Sequence, residues 1–520
     1  MTQNREFDLL VVGGGINGAG IARDAAGRGL RVALCEQADL ANFTSSASTK
    51  LVHGGLRYLE YYEFNLVRKA LREREVLLGI APHIIWPLRF VMPHVRDLRP
   101  AWMIRMGLFL YDHLGGRKKL PASSAVDLRR HPAGEPLDSS LRKGFVYSDC
   151  WVQDARLVVL NAMDAAERGA VIMPRTRCVG ARRGNDGWEA TLRSTVDDSE
   201  STIRARAIVN AAGPWVARFL DEAAHVRRGR DVQLVKGSHI VVPKLFDHDY
   251  AYIFQHTDGR IVFAVPYEGE FTLIGTTDVV YEGNPAEAKA SAEEIEYLCG
   301  AVSRYFTKPV RPEDVVWTYS GVRPLYDEDG SENASAVSRD YLLDLDTDGA
   351  PLLNVFGGKL TTYRTLAGEA MKKLGSVMTV DEADWTGAAV LPGGDISGGD
   401  FDRFLDRIRR RFPWIPQGLA WRLARNYGTR MERMLDGVTD VAGLGEHFGA
   451  DLYEAELRYL VRHEWAMTAE DALWRRSKLG LRLNDNERAR VADWMAAHLE
   501  EEREESHGTH AGERQQDRRA

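Results

Sequence analysis

The fold is decided by Val11-Val12-Gly13-Gly14-Gly15-Ile16-Asn17-Gly18-Ala19-Gly20. The apolar run Phe7 to Val12 leads into it, and a small-residue segment, Ile21 to Gly29, follows. A second apolar run, Arg31-Val32-Ala33-Leu34-Cys35-Glu36, then ends on an acid. Strand, glycine turn, helix and strand in about thirty residues make a βαβ unit. Gly13, Gly15 and Gly18 match G-x-G-x-x-G: a tight turn, close approach to a pyrophosphate, and close helix–strand packing. Together with Gly14 and Asn17 they form the candidate diphosphate cradle, where helix N-terminal N–H groups favour negative charge. Glu36 falls about twenty residues on, where a carboxylate accepts hydrogen bonds from ribose hydroxyls. Its charge disfavours a 2′-phosphate, which leaves FAD or NAD.

At 520 residues the chain is long enough for two or three domains. A net charge of −7 argues against a general nucleic-acid binder. Four scattered cysteines without a C-x-x-C pair imply reduced thiols, with neither a disulfide frame nor a metal site. A cleaved leader would remove the first strand and its glycines. No run approaches the roughly 18 uncharged apolar residues of a bilayer span. A cytoplasmic body is therefore expected, with lying on a membrane left open.

Working outward, Thr44, Ser45, Ser46, Ser48 and Thr49 crowd into one short stretch after Glu36. A Ser/Thr turn capping a helix is the plainer reading. After a nucleotide fingerprint, a second layer of donors for cofactor phosphates and ring edges fits better, with Lys50, Leu51 and His53 in the same block. Gly54-Gly55 allows close backbone approach, and Arg57 and Tyr58 stand beside it. Residues 60–79 read as an amphipathic helix. The segment 86–121 mixes Trp86, Leu88, Phe90, Trp102, Met103, Ile104, Met106, Leu108, Phe109, Leu110 and Tyr111 with Arg89, Arg96, Arg99, Arg105, Arg117, Lys118 and Lys119. That mixture suits a membrane-facing element on anionic headgroups, and equally a core helix with an arginine rim.

Further on come an Ala-rich helix (155–169) and a short β run (205–210) followed by Gly213 and Pro214. They look like returning pieces of the first domain. Residues 232–345 alternate with period two and carry the hairpin signal Thr257-Asp258-Gly259-Arg260, which predicts an antiparallel sheet. Lys236, His239, Arg323 and Arg339 lie there. An apolar run then meets Gly357-Gly358-Lys359-Leu360-Thr361-Thr362, a second strand-to-helix glycine turn able to face a reduced flavin. From about 385 the pattern is helical, and 501–520 reads as disordered. The expected parts are a discontinuous FAD domain (1–75, 150–230, 350–380), a substrate domain (76–149, 231–349) containing the 86–121 stretch, and a helical C-terminal domain (385–500).

Six blocks give the chain a family resemblance: 11–20, Thr-Ser-Ser-Ala-Ser-Thr-Lys-Leu-Val-His-Gly-Gly-Leu-Arg-Tyr-Leu-Glu (44–60), Lys-Gly-Ser-His-Ile-Val-Val-Pro (236–243), Gly-Thr-Thr-Asp (275–278), Tyr-Ser-Gly-Val-Arg-Pro-Leu (319–325) and Phe-Gly-Gly-Lys-Leu-Thr-Thr-Tyr-Arg (356–364). It resembles the FAD-dependent glycerol-3-phosphate dehydrogenases of the aerobic bacterial type, from the first strand to about residue 500. Asn-Ala-Ala-Gly-Pro-Trp (210–215) departs by one lost hydroxyl. The resemblance implies an α/β protein: a Rossmann-like, glutathione-reductase-type FAD domain, an antiparallel substrate domain and a C-terminal α-helical domain. It also implies a homodimer on the inner face of the cytoplasmic membrane, passing electrons to ubiquinone or menaquinone.

Oxidation of sn-glycerol 3-phosphate to dihydroxyacetone phosphate moves a hydride from C2 to flavin N5 and a proton from the C2 hydroxyl, while a phosphate dianion is held. Arg57, Arg323 and Arg339 are the candidate guanidinium forks, with Tyr58 at the same site. His239 is the candidate proton acceptor ahead of His53. Lys359 is placed either at the reduced flavin or at the phosphate. The competing readings are an FAD oxidase of the same fold using O₂ on a glycerol phosphate, amine or hydroxy acid, a flavin-bearing membrane adaptor without chemistry, and an NAD-linked dehydrogenase.

Overall fold

The computed structural model describes residues 5–95, 99–116, 119–226, 232–256, 259–326 and 340–517. Strand Arg5–Val12 lies inside an eight-stranded sheet. Its parallel neighbours are Glu200–Asn210 and Val32–Cys35, and beyond them run Leu352–Phe356 and Val171–Met173. Strands covered on both faces read as unbroken apolar runs, and Leu9, Leu10 and Val11 are all fully buried. Helix Ile16–Gly27 follows the glycine turn, and its small residues Ala19, Ala22 and Ala25 let helices Asp154–Glu167 and Tyr363–Leu374 pack close. Layers of helix on a parallel sheet are the doubly wound arrangement. A hairpin, Thr176–Arg183 with Trp188–Ser194, extends the sheet antiparallel from Glu200–Ala205 and has no counterpart in the sequence reading.

A ten-stranded sheet forms the second layer. Strand Val232–Pro243 pairs antiparallel with Trp317–Tyr326 on one edge and with Phe271–Gly275 on the other. Ala251–Gln255 and Ile261–Tyr267 form the expected hairpin; Thr257 and Asp258 of its turn lie outside the described residues. Ile85–Pro93, Lys143–Val152 and the short strand Leu51–Val52 complete that edge. The block 44–58 therefore leaves the first sheet and enters the second, which places the hydroxyl loop between them.

Two expectations need correction. The first half of the 86–121 stretch does not face a membrane: Leu88 and Phe90 sit buried in strand Ile85–Pro93, and Trp86 packs against Trp151. Aromatic and branched residues suit a half-buried pleated surface as well as a lipid interface, so composition cannot separate the two. Helix Ala101–Leu114 does keep an apolar outer face of Trp102, Met103, Met106 and Phe109, while Ile104, Leu108 and Tyr111 turn inward. Arg96, Arg117 and Lys118 lie outside the described residues. The second correction concerns the tail, because helix Asp485–Asp517 runs on past residue 500. Glu502 is buried on Arg462 and Arg458, a charge match that composition does not reveal. Residues 518–520 lie outside the described residues.

Helices Phe401–Arg411, Gln417–Tyr427 and Glu454–Glu464 pack with Asp485–Asp517 around Phe404, Leu423, Leu457 and Trp494. This unit is bolted to the first through Asp39, which pairs with Arg475 at 2.6 Å and Arg476 at 2.7 Å. Among the described residues no helix is long and apolar enough to cross a membrane.

Candidate active site

At the glycine turn the chain's own backbone segments press close together. Gly13 adopts φ +112°, and a Cβ there would lie 2.4 Å from the Ala211 carbonyl oxygen. A Cβ on Gly18 would lie 1.9 Å from the Gly13 oxygen, so helix and strand can approach this closely only without side chains. Gly15 caps the helix with no side-chain bond. Ser45 Oγ accepts from the Ile16 N–H at 3.0 Å, which docks the hydroxyl loop on the turn. Glu36 is buried and accepts from the Gly14 and Ala38 N–H groups at 2.7 and 2.9 Å. Burial pushes its carboxyl up to about 7 in spite of those bonds. Beside it opens a cavity of about 360 Å³, lined by Gly13, Gly15, Glu36, Ser45 and Gly213 among others.

The hydroxyl loop divides its labour. Ser48 Oγ and Lys50 Nζ both bind Asp154, at 2.8 Å each, and Ser46 Oγ donates to the Phe43 carbonyl. Those side chains hold the loop's shape, so Ser46, Ser48 and Lys50 offer a cofactor mainly their backbone. Leu51 is buried and paired with Trp151. The His53 N–H donates to Thr361 Oγ1 at 3.3 Å, and Asn17 Nδ2 donates to the Gly357 carbonyl at 3.0 Å. These two bonds join both glycine turns to the hydroxyl loop. Lys359 stands over the Tyr58 ring at 3.9 Å, Thr361 and Thr362 are buried, and Gly358 presses on the Asn17 amide.

From the second sheet, His239 reaches this junction: its Nε2 lies 2.9 Å from Thr49 Oγ1, and its ring stacks on Tyr319 at 4.8 Å. Its Nδ1 is buried without a partner. Burial first, then the charges of Arg323 and Lys50, hold the imidazole well below its ordinary pKa, so the resting ring is neutral. Burial lowers His53 in the same direction. Arg323 pairs with Asp278 at 2.6 Å, lies against Gly237 and leaves part of its guanidinium exposed. Arg57 bonds Tyr61 Oη at 3.0 Å, while its buried Nε has no partner. Arg339 lies outside the described residues. Lys236, paired with Glu294 at 2.9 Å, is taken up elsewhere.

The donor set fits a flavin dinucleotide. The cavity beside Gly13, Gly15 and Ser45 leaves room for a diphosphate at the helix N-terminus, Glu36 can take ribose hydroxyls, and the orphaned Asn17 Oδ1 and Arg57 Nε mark polar demand at the junction. Asp154, Asp278 and Tyr319 also shape the site; the last two stand in the blocks 275–278 and 319–325, but sequence alone assigns none of the three a role. A signal existed for Tyr319: period two on strand Trp317–Tyr326 puts it on the same face as Gly321 and Arg323.

A doubly wound domain with this junction defines a flavin-dependent oxidoreductase, and the chain belongs to the FAD dependent oxidoreductase family, whose model matches residues 8–364. Residues 385–506 match the C-terminal domain of alpha-glycerophosphate oxidase, and with the relatives that follow this places the chain in the FAD-dependent glycerol-3-phosphate dehydrogenase family. Among relatives, a glycerol-3-phosphate dehydrogenase of Pseudomonas aeruginosa is 54% identical, covering 94% of this chain and 95% of its own. The aerobic glycerol-3-phosphate dehydrogenase of Escherichia coli is 51% identical over 95% and 98%. A D-erythritol 1-phosphate dehydrogenase of Brucella abortus is 56% identical over 95% and 99%. The structure of the Bacillus halodurans glycerol-3-phosphate dehydrogenase complexed with FAD superposes with a TM-score of 0.78 at 28% identity, covering 99% of this chain and 95% of that one.

Proposed function

We propose that the chain oxidises sn-glycerol 3-phosphate to dihydroxyacetone phosphate and passes the electrons to a membrane quinone. The observation that carries this is the meeting of a neutral, half-partnered His239 and the nearby Arg323 guanidinium at the junction of both glycine turns. When bound, FAD supplies the hydride acceptor. His239, with Nδ1 unpartnered, takes the hydroxyl proton. Arg57 and Arg323 hold the phosphate, Arg57 through an Nε that otherwise lacks an acceptor. Tyr58 and Lys359 close the same wall, and the Lys359 charge favours an anion beside the second glycine turn.

The outer face of helix Ala101–Leu114 supports docking on the anionic inner face of the cytoplasmic membrane. Trp102 is 65% exposed and Phe109 56%, with the cation Arg105 between them. Quinone exchange at that surface and a homodimer belong to the same reading. The 56% identical erythritol-phosphate relative supports a second substrate, one carbon longer. Steady-state kcat/KM for both esters with a quinone analogue decides between them. The proposal expects glycerol 3-phosphate to be preferred by roughly tenfold or more, within what one carbon can contribute to selectivity. A preference for D-erythritol 1-phosphate overturns it.

A further inference from the structure

Behind the His53–Gly55 loop lies a buried network to which the proposed reaction assigns no part. The Gly54 N–H donates to Tyr111 Oη at 2.8 Å, and that phenol donates to Asp149 at 2.7 Å. Arg74 Nη1 closes the chain on Asp149 at 2.7 Å and on the Ser148 carbonyl at 2.8 Å. Tyr111, Asp149 and Arg74 are each only 2–3% exposed. A buried ion pair gains little net stability for the desolvation it demands, so its presence here asks for another use.

Packing tells the same story. A Cβ on Gly54 would lie 2.5 Å from Leu71 Cδ2 and 2.8 Å from Tyr111 Cε2, so the loop backbone lies flat on those two side chains. On the loop's other side, His53 N–H reaches Thr361 of the second glycine turn. The loop is thus clamped between Tyr111 and the turn that carries Lys359. Burial and the Asp149 charge hold the phenol well above its ordinary pKa, so it stays a neutral O–H, donating to Asp149 and accepting from Gly54.

We propose that Tyr111, held by Asp149 and Arg74, is a positioning residue for the reaction, fixing the His53–Gly55 backbone against the Gly357–Thr362 turn. It touches neither substrate nor cofactor; it sets the place of groups that do. The proposal rests on reading the junction as the site of alcohol oxidation. A displacement of about 1 Å at such a wall is enough to cost a hundredfold in rate.

Tyr111→Phe keeps the ring and removes both bonds. In the FAD-loaded enzyme, kcat for glycerol 3-phosphate is expected to fall roughly ten- to a hundredfold. KM and FAD content should change less than about threefold, because Arg57 keeps its own bond to Tyr61. In the FAD-free protein, amide hydrogen exchange across residues 52–58 should quicken relative to wild type. Tyr147→Phe, altering a ring that packs edge-on against Tyr111 at 5.9 Å, should leave both readouts unchanged. A Tyr111→Phe enzyme that merely melts earlier, with kcat within about twofold of wild type and exchange unaltered, overturns the proposal. Wild-type enzyme inert toward glycerol 3-phosphate would sink the substrate reading instead, and the exchange comparison would still decide whether Tyr111 holds the loop.

Discussion

Two side chains at the site carry consequences that can be measured. Arg323 is shared between Asp278 and a partly exposed face, so a phosphate meets a guanidinium already oriented rather than one it must order. Arg323→Ala is expected to raise KM for the phosphate ester at least about tenfold, as loss of a charge-assisted pair does, with bound FAD retained; an unmoved KM removes it from the phosphate site. Glu36 acts at the other end. Its carboxyl is pushed up to about 7 by burial, whereas ribose hydroxyls bind its charged form better. A folded pKa above the unfolded one means that the FAD-free chain loses stability as pH rises from about 4.5 towards 7. FAD binding draws the proton off, so affinity should weaken as pH falls below about 7. Titration of FAD into wild type and Glu36→Gln checks this: the variant should show a flat profile over the range in which the wild type slopes. Glycine spacing and the acid at the end of the second strand made Glu36 legible from sequence. Lys50 and Ser48 were legible only as neighbours, because nothing local predicts that Asp154, a hundred residues away, claims both side chains.

At the scale of elements, helix Ala101–Leu114 is the clearest case of a pattern half read. Its apolar residues at helical spacing were visible, but the strand before it has the same composition and is buried. Only the pairing of Ile85–Pro93 with Lys143–Val152, a non-local contact, separates core from surface. If the outer face docks on lipid, replacing Trp102 and Phe109 by serine should release the protein from vesicles containing anionic lipid while kcat with a water-soluble acceptor stays near wild type. Each aromatic lost contributes roughly 1.5–3 kcal/mol of burial. Co-sedimentation reads the outcome, and undiminished binding of the double variant places the lipid contact on another surface. The strand–turn–helix units at both ends of the first domain were fully legible, since turn, helix and strand signals all lie close in sequence.

For the whole molecule, the decisive feature is convergence. Asn17, His53, Thr49 and Ser48 bind Gly357, Thr361, His239 and Tyr319, so one loop gathers both glycine turns and the second sheet. The helical unit braces this from behind through Asp39 and through Trp317 stacked on Trp474 at 4.7 Å. Family blocks named these segments in sequence, but which atoms met could be known only from the fold. The account stands on that junction being a flavin site for a phosphorylated alcohol. The most direct test is the visible spectrum of the purified, FAD-loaded protein before and after anaerobic addition of glycerol 3-phosphate. The account predicts that the yellow absorbance bleaches and returns on adding a quinone; a spectrum that the ester leaves unchanged would contradict it.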